Sequence, residues 1–111
     1  MIRAEGVQLN FAKLNGLLPA VVQHYQTREV LMVGFMNEDA WAKTRQKGLV
    51  TFWSRERKTL WTKGETSGHV LQVKRIWTDC DNDTLLIEAD PAGPVCHTGS
   101  PTCFFQEIGD D

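Results

Sequence analysis

The sequence predicts a single, mainly β domain with one or two helices, and three observations support that class. The chain has 111 residues, the size of one domain. Hydrophobic residues make up 41% of it and charged residues 23%, which is ordinary globular usage. Short runs rich in Val and other apolar residues outnumber the segments that carry helix signals.

The first part of the chain predicts an arm followed by a hairpin. Residues 1–18 carry scattered apolar positions and end at a proline, so we expect an N-terminal arm, either helical or irregular. Residues 20–25 and 29–36 are strand-like, and the polar residues 26–28 between them are a plausible hairpin connection.

A helix is predicted over residues 38–47. Asn37 suits the N-cap, because its side-chain oxygen can accept a backbone N–H of the first turn, and two acidic residues follow it. Basic residues occupy the end of the segment, and Gly48 suits the left-handed position that closes a helix.

The remainder predicts further strands around one polar loop. Residues 49–54, 70–79 and 84–89 are strand-like, and residues 103–108 are a candidate last short strand. Residues 55–68 are polar and basic and contain two glycines, so we expect a loop there.

Three cysteines, an odd number, occur at Cys80, Cys96 and Cys103. Their separations of 16 and 7 positions differ from the close pairs of a zinc finger or ribbon. The spacing leaves three interpretations open: a catalytic zinc with three protein ligands, a closed structural zinc site that also uses a histidine, and small buried side chains without metal.

His97 stands next to the second cysteine. Beside a metal it would be a candidate catalytic group, because a histidine side chain gains and loses protons near neutral pH. The alternative is a structural histidine that hydrogen-bonds a backbone carbonyl.

Asp79, Asp81 and Asp83 alternate along the chain. In an extended segment their carboxylates would share one face, with Cys80 on the other, and Mg²⁺ or Ca²⁺ would neutralise them. An EF-hand is excluded, because its glycine and its final glutamate are missing at the required positions. A solvated acidic turn at the end of a strand is the alternative.

The polar segment 55–68 combines cations, hydroxyls and glycines, which suit a phosphate group. The candidate substrate or phosphate contacts are Trp53, Ser54, Arg55, Lys63, Thr66 and Ser67. A charged surface hairpin explains the same residues, and tryptophans near strands are often core. The P-loop pattern is absent.

Charge and hydropathy exclude some functions. The net charge of −2 argues against a basic nucleic-acid surface, and no apolar run is long enough to span a membrane. The N-terminus lacks the apolar region of a secretory signal, so we expect a cytoplasmic protein without nucleic-acid or membrane partners.

A phosphorylated small molecule attacked by metal-bound hydroxide would use the cysteines, the aspartates and the basic loop together.

Several motifs in this order resemble the phosphoribosyl-AMP cyclohydrolase family, over residues 30–105. They are Met36-Asn37, Trp53-Ser54-Arg55, Leu60-Trp61-x-Lys63-Gly64-x-Thr66-Ser67-Gly68, Asp79-Cys80-Asp81-x-Asp83 and Cys96-His97-Thr98-Gly99. One departure is Glu56, where the family commonly has a serine, so a phosphate contact at that position is not expected.

The resemblance implies an enzyme of histidine biosynthesis. The family hydrolyses the N1–C6 bond of the adenine ring in 1-(5-phosphoribosyl)-AMP, giving the phosphoribosyl-formimino carboxamide product, here by zinc-bound hydroxide. It implies a barrel-like folded mixed β-sheet in a strand-exchanged homodimer. Many relatives carry a C-terminal pyrophosphohydrolase domain, which we do not expect in residues 1–111.

The resemblance also implies the metal ligands. Zinc would be held at the subunit interface by Cys80 of one chain and by Cys96 and Cys103 of the other, with His97 as the catalytic proton-transfer group. Magnesium would bind Asp79, Asp81 and Asp83. Two alternative functions remain: a zinc-binding interaction module without catalysis, and a zinc nucleotide deaminase that releases ammonia.

Overall fold

The computed structural model describes residues 1–109 and is mostly β, with one α-helix, as predicted. No helix within this described range is long and apolar enough to cross a membrane. In chain order the elements are a 3-10 helix (Phe11–Lys13), β1 (Leu18–His24), β2 (Val30–Met36), α1 (Glu38–Lys47), β3 (Thr51–Ser54), β4 (Thr59–Thr62), β5 (Leu71–Thr78) and β6 (Leu85–Pro91).

The main sheet is mixed, which confirms that part of the predicted fold. Its order is β2-β1-β6-β5, with β1 parallel to β6 and the other neighbours antiparallel. Strands β3 and β4 form a separate two-stranded sheet. Across residues 1–109 the main sheet stays open, with β2 and β5 at its edges, so the expected barrel-like closure is not found in one chain. Four strands are too few to close a barrel around packed side chains.

Helix α1 begins and ends where its capping residues predict. The Asn37 side-chain oxygen accepts the Ala40 N–H at 2.8 Å. Gly48 adopts the left-handed conformation, with φ of 70°, and its N–H donates to the Thr44 carbonyl at 2.9 Å. The arm before β1 is largely irregular and contains one 3-10 turn.

Two predictions about strands are wrong. Strand β4 lies inside the segment predicted as a loop. Its Thr-Leu-Trp-Thr sequence pairs with β3, and the side-chain hydroxyls of Thr51 and Thr62 hydrogen-bond across the pair at 3.0 Å. Residues 103–108 form no strand. The C-terminal segment is instead attached to β2 by individual hydrogen bonds. One of them runs from the Thr102 hydroxyl to the Val30 carbonyl, at 2.7 Å.

The core lies on one side of the main sheet, under α1 and the β3–β4 hairpin. Gly34 of β2 is required there, because a Cβ at this position would lie 2.5 Å from ring atoms of the buried Phe52. The hairpin therefore packs directly against the backbone of β2, and this close approach positions two loops that carry candidate site residues. The fully buried apolar side chains include Leu18, Val22, Leu31, Met36, Val50, Leu71, Leu85 and Ile87.

Candidate active site

Cys96 and Cys103 are brought together by two different parts of the fold. Cys96 is buried in the turn after β6, where its N–H donates to the Ser100 carbonyl at 3.1 Å. Gly99 adopts a left-handed conformation, with φ of 93°, and its N–H donates to the Cys96 carbonyl at 3.0 Å, which closes the turn. Cys103 is fixed by its own N–H, which donates to the carbonyl of Leu31 at 2.8 Å. The two thiols lie close enough for each to shift the pKa of the other.

The two thiols differ in acidity. The pKa of Cys96 is lowered, first by hydrogen bonds from the side chain and backbone of Thr98, whose hydroxyl lies 3.1 Å from the sulfur. The pKa of Cys103 is raised, first by desolvation and then by its contact with Cys96. Positive charge on Lys63 lowers the pKa of both thiols by a smaller amount. Cys96 is therefore the first of the pair to ionise.

Cys80 lies in a different part of the chain, exposed in the turn between β5 and β6. Within residues 1–109, the only cluster of three or more His, Cys, Asp or Glu ligand atoms close enough to hold an ion consists of the aspartates of that turn. One chain therefore does not bring the three cysteines to a common point.

The aspartates cluster through a turn and not through strand alternation, so the extended geometry expected for them is wrong. Asp79 Oδ1 accepts the backbone N–H groups of Asp83 and Thr84 at 3.0 and 3.2 Å. Asn82 adopts a left-handed conformation with φ of 59°, which folds the segment back. One carboxylate oxygen from each of Asp79, Asp81 and Asp83 lies within 4.8 Å of the others.

A lysine that the sequence did not single out completes this turn. The Lys13 ammonium lies 2.9 Å from Asp81 Oδ2 and 2.5 Å from Asp83 Oδ2. These contacts, with Asp83 first, raise the pKa of Lys13 above its usual range. Three carboxylate oxygens within 4.8 Å of one another are the type of donor set that a hard divalent ion takes. Lys13 and Asp83 are 70 positions apart in the chain, so no local sequence pattern could predict this contact.

The buried thiol opens into a cavity of about 330 Å³ that contains several predicted site residues. Lys63, Ser67 and His97 line it beside Cys96. His69, which the sequence analysis missed, lines it too and packs on Gly93, where a Cβ would fall 2.6 Å from the His69 ring. Its position one residue after the Thr-Ser-Gly segment was the available signal. A thiol, two groups that suit phosphate and two imidazoles therefore share one cavity.

The other predicted substrate residues line a second cavity, of about 520 Å³, between β2 and the β3–β4 hairpin. Trp53, Ser54 and Arg55 line it together with Trp61. The Arg55 guanidinium lies 4.0 Å from the centre of the Phe35 ring. The two cavities adjoin along β4, since Lys63 of the first lies 5.7 Å from the ring of Trp61 in the second. Thr66 lines neither cavity.

The sequence is similar to that of a known protein family. Residues 32–105 match the sequence profile of the family described as phosphoribosyl-AMP cyclohydrolase. Three curated relatives are each named "Histidine biosynthesis bifunctional protein HisIE". The relative from Bacteroides thetaiotaomicron is 61% identical over 98 residues, that from Vibrio parahaemolyticus 58% over 97, and that from Staphylococcus aureus 54% over 101.

The coverage of these matches is unequal. They cover 88%, 87% and 91% of this chain, but 48%, 46% and 47% of the respective relatives. The chain thus spans about half the length of the curated relatives it matches. With most of the chain matched at this identity, the protein belongs to the phosphoribosyl-AMP cyclohydrolase family of histidine biosynthesis.

Proposed function

We propose that this chain catalyses hydrolytic opening of the adenine ring of 1-(5-phosphoribosyl)-AMP, at the N1–C6 bond, as a cytoplasmic homodimer. Family membership supports the reaction. The observation that carries the proposal is Cys96, which lines a cavity together with His97 and Lys63 and has Cys103 beside it. Thiols for a metal, an imidazole for proton transfer and an ammonium for phosphate are the groups that this reaction needs.

The thiols would hold zinc together with a ligand from a second copy. Cys96 and Cys103 supply two thiolates, and Cys80, exposed on another turn, would supply the third from the partner subunit. When bound, zinc would lower the pKa of a water molecule so that hydroxide forms near neutral pH. Three protein ligands leave a zinc position open for that water.

Exposed apolar residues beside the thiol pair support an interface there. Phe104 and Phe105, which follow Cys103 directly, are 60% and 51% exposed in the single chain. Large aromatic side chains are enriched where proteins associate. A second copy that covered these rings would bring its own ligands close to Cys103.

His97 would transfer protons. Its side chain lines the thiol cavity and is next to Cys96 in the chain, so it can reach a water or a ring nitrogen in that cavity. The electron-poor C6 of the substituted adenine is the electrophile. As its bond to N1 breaks, N1 must receive a proton, and His97 would deliver it.

The remaining polar residues would bind and orient the substrate. Lys63 and Ser67 would contact one phosphate in the thiol cavity, and Arg55 and Ser54 would contact the second in the adjoining cavity. Trp53 offers an apolar surface for a ribose or a base. Asp79, Asp81 and Asp83 would hold magnesium, and Thr66, outside both cavities, would support the loop of Lys63.

The test is a spectrophotometric ring-opening assay on phosphoribosyl-AMP with protein of defined metal content. We expect turnover with zinc plus magnesium, loss of turnover after chelation, and restoration by both metals. No ring opening by folded, zinc-loaded protein would contradict the proposal and favour a zinc-binding module. Release of ammonia from a free nucleotide would instead indicate a deaminase.

A further inference from the structure

We propose that Lys13 is a built-in competitor for the divalent cation at the aspartate turn and sets the affinity of that site. The Lys13 ammonium contacts Asp81 Oδ2 and Asp83 Oδ2, at 2.9 and 2.5 Å. These are oxygens that a divalent ion would use. The inference rests on the proposed magnesium site, and its test separates the failure of one from the failure of the other.

The contact is held by the backbone as well as by charge. The N–H of Asn10 donates to the carbonyl of Asn82 in the aspartate turn, at 2.7 Å. Asn10 also caps the 3-10 helix that carries Lys13, because its side-chain oxygen accepts the Ala12 N–H at 3.2 Å. The arm is therefore anchored to the turn, and the ammonium is presented to it.

The two cations exclude each other at this point. An ammonium within hydrogen-bond distance of both oxygens occupies the space of an inner-sphere ion, and the two positive charges repel each other. A divalent ion that binds both aspartates through these Oδ2 atoms must therefore displace Lys13. The side chain is 54% exposed, so it can swing into solvent without opening the core. The ion pairs of Lys13 involve Asp81 and Asp83, whereas Asp79 Oδ1 accepts backbone N–H groups.

Calorimetric titration of the full chain with Mg²⁺ alone is the first test. Lys13→Met should bind Mg²⁺ about tenfold more tightly than the wild type, since two ion-pair contacts no longer compete. Lys13→Arg keeps a competing cation and should remain near the wild-type affinity. Lys47→Met, which removes the same charge from the end of α1, controls for net charge and should change the affinity by less than about twofold.

A second readout follows the displaced side chain. Acylation of lysine amines, measured by mass spectrometry, should increase at Lys13 when Mg²⁺ is added, relative to Lys47 in the same sample. Asp81→Asn should abolish that response, because the site would lose one of its carboxylates.

The outcomes separate the two ideas. If Mg²⁺ binds Lys13→Met and Lys47→Met equally, or if bound Mg²⁺ leaves Lys13 acylation unchanged, the competition is wrong and the metal site stands. If neither the wild type nor Lys13→Met binds Mg²⁺, the magnesium site is wrong and the inference fails with it.

Discussion

The backbone N–H of Cys103 donates a hydrogen bond of 2.8 Å to the carbonyl of Leu31, which joins the last cysteine to strand β2. Thr102 strengthens the same attachment: its hydroxyl donates to the Val30 carbonyl and accepts the Phe104 N–H at 3.0 Å. Two residues thus fix the segment that carries Cys103 without forming a strand. The position of a proposed zinc ligand depends on these few hydrogen bonds.

Replacement of Thr102 by Val should weaken zinc binding more than it weakens the fold. The substitution removes the hydroxyl that orients the Cys103 segment. Loss of a residue that supports a metal ligand typically lowers metal affinity by about tenfold or more. Zinc affinity measured by competition with a chromophoric chelator checks the expectation. Thr59→Val, at an exposed site on β4, is the matched control. Equal zinc affinities for the two variants would show that the Thr102 contacts do not position the ligand.

The two thiols of the pair should titrate in a fixed order in metal-free protein. Cys96 should form its thiolate at lower pH than Cys103, because hydrogen bonds from Thr98 lower its pKa while desolvation raises that of Cys103. Ultraviolet absorbance of the thiolate, recorded against pH in Cys96→Ser and Cys103→Ser proteins, separates the two. Thr98→Val should shift the Cys96 transition to higher pH. The reverse order would contradict the assignment of Thr98 as the stabilising donor.

Substitution of Gly34 by Ala should destabilise the protein by about 1–3 kcal/mol, the usual cost of overpacking a core. The new Cβ would lie 2.5 Å from the Phe52 ring, so β2 and the β3–β4 hairpin must separate. Urea unfolding measures the change in the free energy of unfolding. In a Gly34→Ala, Phe52→Leu double variant the smaller side chain relieves the clash, so the two substitutions should not be additive. Simple additivity would show that this contact is not the cause.

Replacement of His97 by Ala should lower kcat by about 10²–10⁴-fold, the usual contribution of a general acid or base, with zinc content unchanged. His24→Ala, in the β1–β2 hairpin, is the control histidine and should retain most of the turnover. Zinc content is measured by atomic absorption on the same samples. A His97→Ala protein that loses its zinc would instead identify the imidazole as a ligand or its support.

Local signals in the sequence predicted α1 and the first hairpin well. Asn37 and Gly48 form their caps with neighbours in the chain, so the bounds of α1 follow from residues within one turn of them. Strand β4 was missed because its cationic surroundings are typical of a loop, and only pairing with β3 makes it a strand. The Lys13 contact was missed for a related reason, since it depends on how the arm packs onto a distant turn.

The arrangement of the candidate site residues could not be predicted from local sequence patterns. The cysteine spacing alone left sites with and without a metal open, and only the family resemblance grouped Cys96 with Cys103. Their proximity depends on the attachment of the C-terminal segment to β2, which local periodicity does not encode. Arg55 and Lys63 were grouped as one phosphate loop, whereas the β3–β4 hairpin places them in adjoining cavities. Long-range packing decides both arrangements.

Complementation between two inactive variants tests the central claim most directly. Cys80→Ser and Cys96→Ser proteins should each lack zinc and ring-opening activity. A mixed dimer of the two contains one site with all three thiols. Random exchange should therefore restore about one quarter of wild-type activity, because half of the dimers are mixed and each carries one intact site of two. Native mass spectrometry of differently tagged chains verifies the exchange. If mixed dimers form and remain inactive, or if either variant alone opens the ring at the wild-type rate, the shared zinc site is wrong.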